Sequence, residues 1–325
     1  LRDRHRSGTS SAADGSGTAD ASAALAMPGV KAILTGDDVP GPKDQINDNG
    51  TIIRANPRSE TALAAKEVLY QGQPVLAVCA ISEFIAAEAI ERIKIRWQPL
   101  PFNVDPVASL VPGAQNPRVE GNVWKRPAPP AQGQPPGIPE PIDVKWNEAE
   151  VEEFRQGRLP VTTFTDPEWK LGDVEEGFKK AALILDETFV SANVSHQCLE
   201  SRTAMAFWQN GKLHIHTSTQ GVAQAVFSFV RWLDLKPEDI VLVNEYTGGG
   251  YGSKGGGSIT DIIPALLSKK LNGAPVMMRI SREEEHMIGR ARPAMHSRVK
   301  VGFTKEGRVT AVDMFTVTEG GPFGP

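Results

Sequence analysis

The stretch Thr247-Gly248-Gly249-Gly250-Tyr251-Gly252-Ser253-Lys254-Gly255-Gly256-Gly257-Ser258 holds seven glycines in twelve residues, between an apolar run and a helix-like one. Glycines this close let backbone approach a ligand without Cβ interference, and they admit positive φ, which turns successive N–H groups toward one point. Ahead of it, Ile240-Val241-Leu242-Val243 reads as a buried strand. Behind it, Ile259, Ile262, Ile263, Leu266 and Leu267 recur at helical spacing as far as Leu271, where Asn272-Gly273 is a stop,. A glycine loop leading into a helix N-terminus favours an anion, because unpaired amides and the helix dipole both attract negative charge. A phosphate or an oxo group is the expected guest. The alternative is a strand-to-helix turn with spare flexibility.

Working outward, the segment just upstream prepares the same corner. Lys212-Leu213-His214-Ile215-His216 alternates as a strand, with both histidines on one face as sheet surface, and runs into Thr217-Ser218-Thr219-Gln220-Gly221,. A helix follows with Val222, Ala225, Val226, Phe229, Val230 and Leu233 on its apolar side,. Gln220 therefore sits at a strand-to-helix corner, where its amide can donate once and accept once, or serve as an ordinary cap. Before that, in His196-Gln197-Cys198-Leu199-Glu200-Ser201-Arg202, His196 and Glu200 would share a helix face, but no third ligand lies near,. A buried His–Glu or Glu–Arg pair holding a loop is the better reading, and no metal ligand is assigned.

At 325 residues and 40% hydrophobic content the chain can bury a substantial core, and two domains are expected,. A net charge of −4 with mixed signs gives no basic stripe, which argues against nucleic acid and anionic membrane as partners,. No apolar run reaches the length of a membrane span. Cys79 and Cys198, neither in a CxxC, cannot supply a zinc site or an iron–sulfur cluster by themselves, and they fit a reducing, cytoplasmic compartment,.

The linear plan divides into four parts. Residues 1–20, rich in Ser, Gly, Ala and Arg without periodicity, read as a disordered or non-native start,. Residues 21–115 read as a small unit of mixed helix and strand. It contains a strand over 30–34, another over 73–81, a helix capped by Ser82, and an alternating strand through Ile93, Ile95 and Trp97,. Residues 116–165 are a connector with seven prolines between 127 and 141, followed by a charged run at 147–158 read as a solvated helix,. Residues 166–325 form the second unit, with a helix starting at 172–178, a first strand over 182–190 and a last one over 309–317, where the sheet looks interrupted,.

Four ordered motifs then make a resemblance. His196-Gln197-Cys198-Leu199-Glu200, Ser218-Thr219-Gln220, the run from Thr247 to Lys254, and Arg282-Glu283-Glu284 with Arg292-Pro293 and Lys300-Val301-Gly302-Phe303 resemble the molybdopterin-binding large subunit of the xanthine oxidase/aldehyde oxidase family of molybdenum hydroxylases,. In the first unit, Ala24-Leu25-Ala26-Met27-Pro28-Gly29-Val30, Leu34-Thr35-Gly36-Asp37-Asp38 and Gly72-Gln73-Pro74-Val75 are similar to that family's α/β-hammerhead domain. The resemblance implies an α+β chain: a small hammerhead domain followed by the first part of a molybdenum-cofactor-binding domain. It implies molybdopterin, with or without an added cytosine nucleotide, bound through the Gln220 side chain and the backbone of Gly249, Gly250, Tyr251 and Gly252. The implied chemistry is hydroxylation of an N-heteroaromatic or aldehyde substrate with water as the oxygen source. Electrons would leave to a [2Fe–2S] subunit and an FAD subunit, since two cysteines cannot hold the relay. The resemblance places the catalytic glutamate in a C-terminal half beyond this sequence, so that no catalytic residue is assigned and the stretch is expected to be inactive alone. Tyr251 stands where phenylalanine is common and Ser253 where glycine is common, departures that backbone contacts accommodate; Gly255 stands where purine-oxidising members place a substrate-binding glutamate, which argues against xanthine itself as the expected substrate.

Two other readings carry their own expectations. Gly250-x-Gly252-x-x-Gly255 formally satisfies GxGxxG, with Val276-Met277-Met278-Arg279-Ile280 as the next strand and Arg282 for a 2′-phosphate, as in an NAD(P)-binding dehydrogenase,. A cofactor-free assembly relative is the third.

Overall fold

Apolar periodicity sets the elements and short polar side chains set their ends. The computed structural model describes residues 9–10, 19–40, 45–46, 52–53, 62–64, 67–115, 121–125, 140–162 and 170–321. Its main elements in chain order are β1 (Val30–Thr35), β2 (Leu76–Ala80), α1 (Glu83–Glu91), α2 (Glu148–Arg155), α3 (Val174–Lys179), β3 (Leu183–Ser191), β4 (Thr203–Gln209), β5 (Lys212–Thr217), α4 (Val222–Leu233), β6 (Ile240–Val243), α5 (Ile259–Lys270), β7 (Val276–Arg279), α6 (Arg282–Ile288), β8 (Met295–Phe303) and β9 (Val309–Thr318). Ser82 caps α1 by accepting from the Ile85 N–H, as its spacing predicts,. Asp173 and Asn147 cap α3 and α2 in the same way.

By contacts the chain divides into two units, each assembled from separated stretches: Leu1–Leu100 with Ser195–Ala291, and Pro101–Val194 with Arg292–Pro325. The first unit is built on a four-stranded sheet in the order β6-β5-β4-β7. In it β5 and β6 run parallel, while β4 is antiparallel to both β5 and β7. Helix α5 packs on this sheet, and Leu213, Ile215, Phe229, Ile262, Leu266 and Leu267 form its core. Strand β1, paired antiparallel with β2, alternates between two cores. Ala32 and Leu34 join the one just described, and Ile33 joins Ala24, Met27, Ala89 and Ile93 in another. A one-residue slip of β1 would exchange the two sets, so its register is strongly specified. Lys270 at the end of α5 reaches back to the Ile33 carbonyl at 3.0 Å and to Asp38 Oδ1 at 2.8 Å.

The second unit has the antiparallel sheet β3-β8-β9. Arg298 on β8 makes a two-pronged bond to Asp186 on β3, at 2.7 and 2.8 Å, and also reaches Glu153 at 2.8 Å. Val107, Leu110, Trp146 and Leu159 form a core that Phe315 and Val317 of β9 complete.

Two sequence expectations change. The charged run at 147–158 is a helix with one packed side, since Val151 and Phe154 lie against that core and the Phe154 ring is 4.9 Å from Trp146. The strand expected through Ile93, Ile95 and Trp97 is paired only over Lys94–Ile95, opposite the two-residue partner Ala19–Asp20, while Ile93 and Ile95 both pack on one cluster. The expectations for residues 1–8 and 11–18, for most of the proline-rich connector, and for the start of the second domain at 166 lie outside the described residues.

Candidate functional site

Parallel neighbours β5 and β6 end on the same side of the first unit's sheet, and this brings two connections together. Thr217-Ser218-Thr219-Gln220-Gly221 leads from β5 into α4, and the glycine-rich stretch leads from β6 toward α5. Backbone stitches them: Gln220 N–H donates to the Lys254 carbonyl at 2.8 Å, and the Thr219 hydroxyl donates to the same carbonyl at 3.0 Å. Asn244 Nδ2 donates to the Thr219 carbonyl at 2.8 Å.

The Gln220 side chain is oriented by its acceptor end. Its Oε1 receives the Gly252 N–H at 2.9 Å and the Lys254 N–H at 3.2 Å. Two amides can bond only to an oxygen, so Nε2 is the outward end, and it donates to nothing among the described residues,. The N–H groups of Gly249, Gly250 and Tyr251 likewise have no acceptor among the described residues. Gly249 has φ +95°, Tyr251 +53° and Gly252 +97°, the backbone that gathers successive N–H groups into a nest,. The result is a cradle of donors, suited to an oxo or phosphate oxygen and unsuited to a cation.

This loop is not spare flexible chain. A Cβ at Gly250 would overlap the Gln220 carboxamide, and one at Gly248 would overlap Glu200. At 248 the obstacle is the Glu200 Cβ, which favours glycine by close approach, and at 250 a side chain would have to displace Gln220,. The helix N-terminus, by contrast, already carries an acidic side chain of its own. Ser258 and Asp261 close a capping box at the start of α5, with Ser258 N–H on Asp261 Oδ2 at 2.7 Å, and Thr217 donates to Asp261 Oδ1 at 2.5 Å. Asp261 is 4% exposed, and burial pushes its carboxyl above the ordinary value despite these hydrogen bonds. The donors for a guest lie upstream of the helix, at 249–251.

Charged groups hold the loop from beneath. Lys254 Nζ meets Glu200 Oε2 at 2.6 Å, and that same oxygen accepts the Gly248 N–H at 2.7 Å. Partial burial opposes ionisation of Glu200, but the Lys254 ammonium and the Gly248 N–H outweigh it and hold the carboxyl below its ordinary value,. Arg202 is buried against Glu285 of α6, and also donates to the Ser253 carbonyl and, at 2.6 Å, to the Ser253 hydroxyl. The sequence pairing of Glu200 with His196 or Arg202 is thereby corrected. No helix forms over 195–202, where Gln197 takes φ +52°, and His196 Nδ1 donates to the Arg290 carbonyl at 2.7 Å. Neither buried pair was read from sequence, although the Ser281-x-x-Glu284 spacing does mark where α6 begins,.

Of the remaining candidates, Cys198 reaches the glycine loop, while the two strand histidines lie on the sheet. His214 and His216 flank Phe207, which stacks on His214 with ring centroids 4.7 Å apart, as sheet surface. Among the described residues no group of three His, Cys, Asp or Glu could hold a metal. Cys198 is buried with Sγ 3.4 Å from the Gly250 carbonyl, and Cys79 packs against the first unit's core. The dinucleotide reading does not match the topology. It needs the strands before and after the helix side by side, whereas β6 and β7 are the two edges of the sheet with β5 and β4 between them,. Arg282 is used as well, donating to the Leu199 carbonyl at 2.6 Å.

Comparison with known proteins gives the family of the chain. The family model "Molybdopterin cofactor-binding domain" matches residues 157–325, and "Aldehyde oxidase and xanthine dehydrogenase, a/b hammerhead domain" matches residues 9–101. The chain is 27% identical to the probable hypoxanthine oxidase XdhD of Escherichia coli O157:H7, covering 94% of this chain and 31% of that protein. It is 25% identical to the xanthine dehydrogenase of Dictyostelium discoideum, covering 93% and 18%. It thus spans less than a third of the length of these relatives. Among solved structures, the aldehyde oxidoreductase from Desulfovibrio gigas shares the fold, with a TM-score of 0.67 at 20% identity, covering 92% of this chain and 29% of that one.

Proposed function

The chain belongs to the molybdopterin cofactor-binding family of aldehyde oxidases and xanthine dehydrogenases, and from that premise we propose that it supplies the oxo-binding wall of the cofactor pocket in a hydroxylase of N-heteroaromatic or aldehyde substrates. When bound, the cofactor supplies two-electron oxidation of a substrate carbon, with water as the oxygen source. Gln220 offers Nε2 as a donor to an oxygen acceptor of the cofactor. Gly249, Gly250 and Tyr251 offer their N–H groups to the same region, while the Gly252 N–H keeps the Gln220 oxygen turned away from it. Donors set in place before the guest arrives need no reorganisation, which is where such a site gains its electrostatic effect. Electrons pass to a [2Fe–2S] subunit and an FAD subunit; within this stretch of chain, Cys79 and Cys198 cannot ligate a cluster,. The linear plan proposed with this function is a hammerhead domain over 21–115, a connector over 116–165 and the cofactor domain from 166 on. We also place the enzyme in the cytoplasm. Among the described residues no helix is long and apolar enough to cross a membrane.

The observation that carries this reading is the set of N–H donors at 249–251, without acceptors among the described residues, together with Gln220 Nε2. Elemental analysis of the complete protein, purified from its source with any co-purifying subunits, should give about one molybdenum per chain. Gln220→Ala should keep the melting temperature, lose molybdenum or turnover of benzaldehyde or quinoline with a dye acceptor, and so separate cofactor binding from folding. Wild-type molybdenum content and turnover in that variant would remove Gln220 from the site. A wild-type protein holding no molybdenum would return weight to a cofactor-free relative.

A further inference from the structure

Lys254 is 2% exposed, and a buried ammonium is costly unless it is paired and hydrogen-bonded. It has both kinds of partner, Glu200 Oε2 at 2.6 Å and the Glu200 carbonyl at 3.1 Å. Because the same Oε2 also holds the Gly248 N–H, one carboxylate oxygen ties the entry of the glycine loop to the ammonium at its far end. The backbone of Lys254 has a separate task. Its N–H meets Gln220 Oε1 and its carbonyl takes the Gln220 N–H, so Gln220 is gripped at both main chain and side chain. Glycine loops are intrinsically free to rearrange, and the donors at 249–251 lie between these two anchored points.

We propose that Glu200 and Lys254 are a positioning pair that keeps Gln220 Nε2 and the N–H groups of Gly249, Gly250 and Tyr251 converging on the cofactor. This rests on the cofactor reading above, and neither side chain has to touch the cofactor. The other buried pair serves a different place: Arg202 holds Ser253 and, among the described residues, bonds neither Gln220 nor Gly248. Its loss should weaken the fold without re-aiming the donors.

The test uses the complete protein purified from its source. Lys254→Met keeps the length of the side chain and removes the charge; Glu200→Gln keeps an acceptor for Gly248 and removes the ion pair. Three quantities are read: molybdenum per chain, melting temperature, and the paramagnetic resonance spectrum after partial reduction with dithionite. The expected result is a folded protein with molybdenum retention lowered about 10- to 100-fold, or with retained molybdenum and a displaced spectrum, as for other residues that orient a ligand from behind. Wild-type retention and spectrum in both variants would overturn the proposal. A fall in melting temperature alone, or failure of both variants to fold, would overturn it too, since the pair would then be structural. Molybdenum absent from the wild-type protein would sink the cofactor reading instead.

Discussion

At Gly250 a methyl group would overlap the Gln220 carboxamide, whereas at Gly256 it would lie 3.5 Å from the Ser228 hydroxyl, an ordinary contact. Neither glycine needs a left-handed backbone, so the two alanine variants differ only in what the new Cβ meets. Gly250→Ala is expected to cost about 1–3 kcal/mol through overpacking and to lower molybdenum content by displacing Gln220. Gly256→Ala should change neither. Melting and elemental analysis of the pair decide it. Residue placements were legible where they follow from local order: Gln220 at its corner follows from an alternating strand running into an amphipathic helix. They were not legible where a bond joins distant positions. The Gly252 bond to Gln220 and the Lys254 bond to Glu200 span 32 and 54 residues, and no periodicity encodes which charge meets which. The His196 and Glu200 spacing misled for the opposite reason, since it is informative only on a helix, and residues 195–202 form none.

Elements were easier to read than contacts, because their ends are written in capping chemistry. Helix α5 shows this and also its limit. Its apolar spacing and its stop were plain, but the Ser258-x-x-Asp261 box that starts it was not read. The box engages the N–H groups of Ser258 and Asp261 and sets a carboxylate at the helix start,. Ser258→Ala should therefore destabilise the protein by about 1 kcal/mol, the usual worth of an N-cap, while leaving molybdenum content unchanged. Loss of molybdenum in that variant would put the helix terminus back into the site. Short strands fared worst, since Lys94–Ile95 is too brief for alternation to define it.

The α+β class and the order of hammerhead then cofactor domain were legible across the whole chain. The interleaving of the two units along the chain was not, since linear composition cannot show that residues 195–291 pack with the first hundred. Acid should act on both units. The Arg298 guanidinium holds the Asp186 carboxyl below its ordinary value, and Glu200 is also held low. Such groups stabilise the fold above their unfolded value of about 3.9–4.3, and the contribution is lost as pH falls through the lower folded values. Asp186→Asn should cost about 2 kcal/mol near neutral pH, as for a hydrogen bond to a charged group, and the gap from wild type should close in melts run below that range. A gap independent of pH would show that the pair acts by packing alone. The reach of Lys270 back to Ile33 across 237 residues also sets a timetable for synthesis. At about 5–20 residues per second, roughly 10–50 s separate the emergence of β1 from that of its cover. During that interval Ala32 and Leu34, the inward face of β1, wait in water on the ribosome. A nascent chain of this design is a natural client for chaperones long before any cofactor is inserted.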